Sequence, residues 1–187
     1  MKYKLLFSII GAVVIFVWQF LSYAMPNLHK SASAYTPAQD SILMMLKNQG
    51  LTEGMYLLGQ PDPSLSQEEQ QASMKALDGK PWAVINYRNA NSMSMAMPMI
   101  RGLLVCFVIS FLLFWLFLQQ KNPTLMNRLY LSLAVGMIGF FFVPYANFIW
   151  YKAPDIFAHF ADAIVPWVIL GLIGHKMAEM QAKHPKI

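Results

Sequence analysis

The run IFAHFADAIVPWVILGLIGH, residues 156–175, decides the fold. It is an almost unbroken apolar stretch of the ~20 residues that a helix needs to cross a hydrocarbon core of ~30 Å. Residues 5–24, 98–119 and 125–146 are three more stretches of the same length and kind. Four such stretches predict a mainly α membrane protein. What sets the last apart is its polar content: Asp155 stands at its start, and His159 and Asp162 lie within it.

The rest of the chain is consistent with that solvent. Only 12% of the residues are charged and 57% are hydrophobic, against about 25% charged in soluble domains. A single sizeable polar block, residues 25–97, separates the first span from the second. The expected organisation is therefore a first span over 1–24, a small domain over 25–97, and three spans with a short tail over 98–187. Put together, this is a four-transmembrane-helix bundle with a small α+β extracytoplasmic domain inserted between helices 1 and 2. The net charge of +5 carries no Lys/Arg run, so the stripe that a phosphate backbone requires is absent and nucleic acid is excluded as a partner. Cys106 is the only cysteine, which rules out an intrachain disulfide.

Basic residues in short loops mark the cytoplasmic side. With the N-terminus inside, Lys2, Lys4, Lys121, Arg128, Lys176, Lys183 and Lys186 all fall there, opposed only by Glu179. The long block balances Lys30, Lys47, Lys75, Lys80, Arg88 and Arg101 against Asp40, Glu53, Asp62, Glu68, Glu69 and Asp78. In the loop between spans three and four, Lys152 and Asp155 cancel. The expected topology is N-in and C-in, in a bacterial inner (cytoplasmic) membrane, with 25–97 outside. Aromatics agree: Trp18, Tyr23, Tyr145, Trp150 and Tyr151 gather near the outer boundary, Trp115 and Tyr130 near the inner one. The first apolar run exceeds the 7–15 residues of a signal-peptide core. The small residues Ser31–Ala34, loosely like a cleavage site, come late, so an uncleaved signal anchor is expected.

Turn chemistry refines the elements. The turn Lys121-Asn122-Pro123-Thr124 stops one helix and caps the next, and Pro154 followed by Asp155 opens the fourth. In the outer block, Thr36-Pro37 predicts a helix carrying Ile42, Leu43, Met45 and Leu46 up to Gly50. Met55–Leu58 predicts a strand, Ser66 opens a second helix with Glu68 and Glu69 in its first turn, and Trp82–Tyr87 alternates as a half-buried strand. The order is α-β-α-β with the two strands paired. Some 70 residues bury little apolar area alone, so this unit is expected to rest on the bundle or on a partner.

The candidate polar pocket comprises Asp162, His159 and Asp155, spaced four and three apart along one helical stripe, with Gln19, Arg101 and Asn147 at similar depth. Counting from Lys176 at 1.5 Å per residue puts Asp162 roughly 20 Å up, in the outer half of the core. An ionised carboxylate there costs about 3 kcal/mol unless paired or wetted. Two readings follow: a cavity for a ligand, proton or ion, or an Asp162–Arg101 or Asp162–His159 pair that locks helices together. Pro166 removes a backbone donor nearby and predicts a kink. No acidic or histidine relay continues inward, which disfavours a proton path across the membrane.

A second candidate is Met93, Met95, Met97 and Met99, whose spacing of two places the thioethers on one side of an extended segment. Thioethers suit Cu(I), and the run resembles the Met-rich motifs of bacterial copper-handling proteins. Its bland alternative is gap-filling packing. No Cys or His accompanies the run, His29 being the nearest outer candidate. Small residues at Ser8/Gly11/Ala12, Ser132/Gly136/Gly139 and Gly171/Gly174 mark faces for close helix approach, within the bundle or between copies. Phosphate loops, paired-Cys motifs, zinc helices and nucleophile elbows are absent from the sequence.

The expectation is a non-enzymatic binding or accessory/assembly subunit of an envelope complex, with lipid and a protein partner or a second copy as its company. No cofactor is expected. The alternatives are extracytoplasmic Cu(I) handling through the methionine run, and a small-solute transporter or membrane enzyme using Asp162 and His159.

Overall fold

Four helices are long and apolar enough to cross a membrane: α1 (Lys2–Ala24), α4 (Ala96–Gln119), and two longer interrupted ones over Leu125–Tyr151 and Ile156–Lys183. The computed structural model describes residues 2–121 and 123–184. Asn122 of the expected inner turn and Lys186 of the basic tail lie outside them. The chain is mostly helical, with one small two-stranded sheet. It divides into two compact units, one made of Met1–Ala34 with Ser94–Ile187, the other of Tyr35–Met93. Residues 25–34, which the sequence grouped with the polar block, thus belong with the long helices.

Proline explains both interruptions. In the third span, α5 (Leu125–Phe140) widens into a π-helical stretch over Phe141–Tyr145 before α6 (Ala146–Tyr151) resumes. Pro144 lies inside that stretch; it has no N–H, and its ring crowds the carbonyl four residues back, so a wider turn accommodates it. The span runs five residues beyond its expected end at 146. In the fourth span, α7 (Ile156–Asp162) stops and α8 (Val165–Lys183) starts afresh with Pro166 in its first turn. Pro166 has no donor for the Asp162 carbonyl, and the kink expected from sequence takes the form of an interruption at Ala163 and Ile164. Asp155 is the N-cap of α7, which leaves Pro154 just outside the helix.

The core of the helical unit is aromatic. Phe7 stacks on Phe114 at 4.7 Å between ring centroids and meets Phe117 edge-on at 6.1 Å. Around them lie Ala12, Ile15, Cys106, Leu113, Leu170 and Met177, all buried. Small residues let these helices approach. A Cβ on Gly11 would lie 2.8 Å from the Ser110 Cβ of α4, and one on Gly174 would enter the Phe117 ring. Across α5 and α8, Ser132 Oγ donates to the Trp167 carbonyl at 2.6 Å. One turn on, a Cβ at Gly136 would strike the Ala163 carbonyl and the Trp167 ring. Gly139 differs from its neighbours, since a Cβ there meets nothing within 4 Å.

The second unit follows its expected order: α2 (Gln39–Asn48), β1 (Gly54–Leu58), α3 (Gln67–Leu77) and β2 (Ala83–Tyr87). The strands pair antiparallel, Gly54 opposite Tyr87 and Leu58 opposite Ala83. Ser66 and Glu69 form a reciprocal capping box at the start of α3. Hydrogen bonds from the Ser66 hydroxyl and then its backbone N–H hold the Glu69 carboxyl below its ordinary value. At α2 the sequence reading placed the helix start too early. Thr36 caps a turn by accepting from Ala38 N at 3.3 Å, and Ala38 is the N-cap with no side-chain bond. Only Leu46 and Tyr87 of this unit are buried among the larger apolar side chains, as expected of so small a core.

Gly136→Leu should therefore lower the unfolding midpoint of the detergent-solubilised protein, because forcing a side chain into a filled contact costs about 1–3 kcal/mol. Gly139→Ala, facing open space one turn away, should leave the midpoint unchanged or raise it slightly. Equal effects of the two substitutions on a thermal melt would refute this packing assignment.

Candidate functional site

The site begins with the last turns of α1. Trp18 and Ser22 are four residues apart and so share a face. Beyond the helix, Asn27 takes a left-handed conformation, φ 57°, which Asn tolerates better than most residues. Leu28 N then bonds back to the Ser22 carbonyl at 2.7 Å. The reversal returns His29 over the end of α1, where its ring lies parallel to Tyr23 at 3.8 Å between centroids. Ser31 Oγ donates to the Pro154 carbonyl at 3.2 Å, tying this segment to the start of α7.

From α7 come Asp155, His159 and Asp162. His29 is 3% exposed and lies between two carboxylates: Nδ1 is 2.7 Å from Asp155 Oδ2, and Nε2 is 2.9 Å from Asp162 Oδ2. His159 Nε2 is 3.3 Å from the same Asp155 oxygen, and its ring meets that of His29 edge-on at 4.7 Å. The other oxygen of Asp162, Oδ1, accepts from Trp18 Nε1 at 2.9 Å and from Ser22 Oγ at 2.7 Å. Burial pushes the Asp155 carboxyl up, yet the His29 hydrogen bond and the charge of His159 outweigh it and hold the group below its ordinary value.

Asp155 breaks a local rule in joining this cluster. Aspartate at an N-cap ordinarily accepts from the first turn of its helix, a bond worth about 1 kcal/mol. Here the cap position makes no such bond, and the carboxylate turns to His29 instead. Beside the cluster is a cavity of about 300 Å³ whose lining includes Trp18, Gln19, Pro144, His159, Asp162 and Trp167. Both helix interruptions thus border it: Pro144 from the π-helical stretch, and Asp162 from the end of α7.

Of the residues singled out from sequence, Asp155, His159 and Asp162 come together, and Gln19 lines the adjoining cavity while accepting from Cys106 Sγ at 3.7 Å. Arg101 and Asn147 have exposed side chains and make no hydrogen bond or ion pair with the cluster among the described residues. The partner expected of Arg101, Asp162, is bound by Trp18, Ser22 and His29. Those three and Tyr23 escaped the sequence reading as pocket residues. The available signal was the Trp18/Ser22 pair on one helical face, with a lone histidine a few residues past the span end.

The methionine run takes a different form from the one expected. α4 begins at Ala96, so Met97 and Met99 are helical and two residues apart, which turns their side chains to nearly opposite sides. Met93, Met95, Met97 and Met99 are all exposed. At the far end of the bundle a second polar contact exists: buried Arg128 donates through one terminal nitrogen to the His175 carbonyl at 2.9 Å, with the His175 Nδ1 at 3.1 Å. Compared with models of protein families, with curated proteins and with solved structures, the chain matches none.

Asp162 depends on two neutral donors, and removing either leaves a carboxylate less well satisfied. Ser22→Ala should cost about 1–3 kcal/mol, as should Trp18→Phe. Measured by chemical unfolding in detergent, the pair should couple by more than 0.5 kcal/mol, roughly the threshold for groups sharing a partner. Strict additivity would show that the two do not share Asp162.

Proposed function

We propose that this is a multi-pass protein of a bacterial cytoplasmic membrane that acts by binding, through the cluster and cavity between the end of α1 and α7. The observation that carries the reading is the convergence of His29, Asp155, His159 and Asp162 from two separate parts of the chain. A helix lock needs one pair. Four ionisable groups at a helix break, with a cap forgone to complete them, are the arrangement expected of a site. Irregular backbone within a span is tolerated where it lines a cavity, and both the π-helical stretch and the α7–α8 interruption border one here. Inward of the cavity the bundle is filled by Phe7, Leu113, Phe114, Phe117 and Leu170, which favours a site that holds a ligand over a path that conducts one.

Loop charge supports an orientation with both termini inside, and hence the cluster and the Tyr35–Met93 unit on the outer side. In that unit α2 leaves Leu43, Met44 and Met45 exposed, which fits a role as the accessory or assembly surface for a protein partner. A cysteine introduced by Ser64→Cys should be labelled by an impermeant thiol reagent added to intact cells. Labelling only after lysis would invert the topology.

The binding reading also predicts a sign for Asp162→Asn. Two carboxylates flank the one buried imidazole of His29 and crowd negative charge together, so neutralising the Asp162 carboxylate at constant shape should keep or raise the thermal midpoint. Sites are commonly held at some cost in stability. Breaking a structural ion pair would instead cost about 3–5 kcal/mol. A loss of that size would identify the cluster as a helix lock and overturn the proposal.

A further inference from the structure

We propose that the ligand is one divalent d-block cation of the zinc class, held by His29 Nε2, a ring nitrogen of His159 and the Asp162 carboxylate, with Asp155 as the positioning residue for His29. This inference rests on the binding reading above and names its ligand.

The donor set makes the first selection. Two imidazoles and a carboxylate suit zinc and its neighbours, whereas magnesium and calcium prefer all-oxygen shells and Cu(I) prefers sulfur. His29, His159 and Asp162 each present one ligand atom, and these atoms lie within 4.8 Å of one another. Donors at 2.0–2.2 Å around a tetrahedral ion are about 3.4 Å apart, so the longest separation must close by roughly an ångström. His159 has the freedom to supply that movement. Its side chain is partly exposed, and its one ionic contact among the described residues, to Asp155, is the longest in the cluster at 3.3 Å.

Orientation makes the second. Metal-bound histidine usually donates its other ring N–H to a carboxylate, which fixes the tautomer and directs the free lone pair. Asp155 stands 2.7 Å from His29 Nδ1 and so turns the Nε2 lone pair toward Asp162. Asp162 is prepared in the same way: Trp18 and Ser22 occupy Oδ1, leaving Oδ2 to face His29 Nε2 at 2.9 Å. Without metal a ring proton bridges Nε2 and Oδ2 at 2.9 Å, and the cation takes that proton's place between the same two atoms. A divalent ion supplies two charges, which balance Asp155 and Asp162 together. Three protein ligands leave a fourth position, on the side of the 300 Å³ cavity lined by His159, Asp162 and Gln19. Water or a small donor molecule would complete the shell there.

The test uses the full chain in detergent, stripped with a chelator and titrated with Co²⁺ as a spectroscopic stand-in. The expected result is one equivalent bound per chain, with the visible absorption of a four-coordinate nitrogen/oxygen site. Zn²⁺ should displace it, and excess Mg²⁺ or Ca²⁺ should not. His159→Ala should weaken binding at least tenfold while leaving the metal-free melting point in place. Asp155→Asn should weaken it by roughly 10–100-fold, as for other orienting carboxylates, and alter the cobalt spectrum. Failure of the folded wild-type protein to take up a stoichiometric ion would overturn the proposal. Uptake that both variants leave intact would do the same. The metal-free melting point of Asp162→Asn judges the binding reading separately: if it holds while cobalt fails to bind, the pocket stands with a ligand of another class.

Discussion

The placement of His29 between Asp155 and Asp162 is the constraint on which the polar end of this molecule depends. The imidazole is almost wholly buried, yet it arrives on a segment whose Met25 and Leu28 side chains stay exposed, so apolar packing alone does not hold it. Its two carboxylate contacts at 2.7 and 2.9 Å tie the segment after α1 to the beginning and the end of α7. Of the two, the Asp155 contact is the shorter and the more deeply buried, and it fixes the ring. The chain reversal at Asn27, the back-bond from Leu28 to Ser22 and the Tyr23 stack all follow from bringing that one ring to that one place.

The helical unit divides its labour along its length. Away from the cluster, stability comes from close approach: Gly11 against Ser110 and Gly174 against Phe117. The stacked phenylalanines fill the space those glycines open. Such packing tolerates no added volume, which makes it a stiff base for what lies beyond it. Around the cluster the contacts are directional instead, and the neighbouring cavity leaves volume unfilled. A rigid packed base under a polar, partly open end is how a binding site is kept in shape without being closed.

Much of this was legible from the chain. Apolar runs of the right length locate the four long helices because their physical requirement is crude: enough methylenes in a row. The helix–strand alternation of the Tyr35–Met93 unit was legible for a similar reason, since Ser66 with Glu69 and the period-two run ending at Tyr87 are local signals. The Asp155/His159/Asp162 stripe could be read because all three belong to one stretch of helix. His29 could not, because what brings it to Asp155, 126 residues away, is a chain reversal after α1 that no periodicity announces. For a helix-locking partner of Asp162, charge and depth alone offer either His159 or Arg101. Depth says nothing about which way a helix face turns, and α4 turns that side chain outward. In the methionine run a spacing of two would align side chains in a strand, whereas Met97 and Met99 lie in α4, which opposes them.

Departures from local rules gather at one place in the helical unit. Asp155 occupies a cap position without capping, Asn27 accepts a left-handed backbone, Pro144 sits in a widened helical turn, and Pro166 leaves the Asp162 carbonyl without a helical donor. Each costs something in isolation, and any one of them could be an accident of descent. Their coincidence is harder to dismiss, because a fold selected only for stability would have removed the cheapest of them by a single substitution. Replacing Pro166 alone would return a donor to the Asp162 carbonyl, and with it a route to continuous helix. Asp162 is the last residue of α7, and its carboxylate meets Trp18, Ser22 and His29 where the interruption begins. The forgone helical bond and the three contacts fall at one residue, and strain held at a polar cluster is what a site, more than a packing seam, retains.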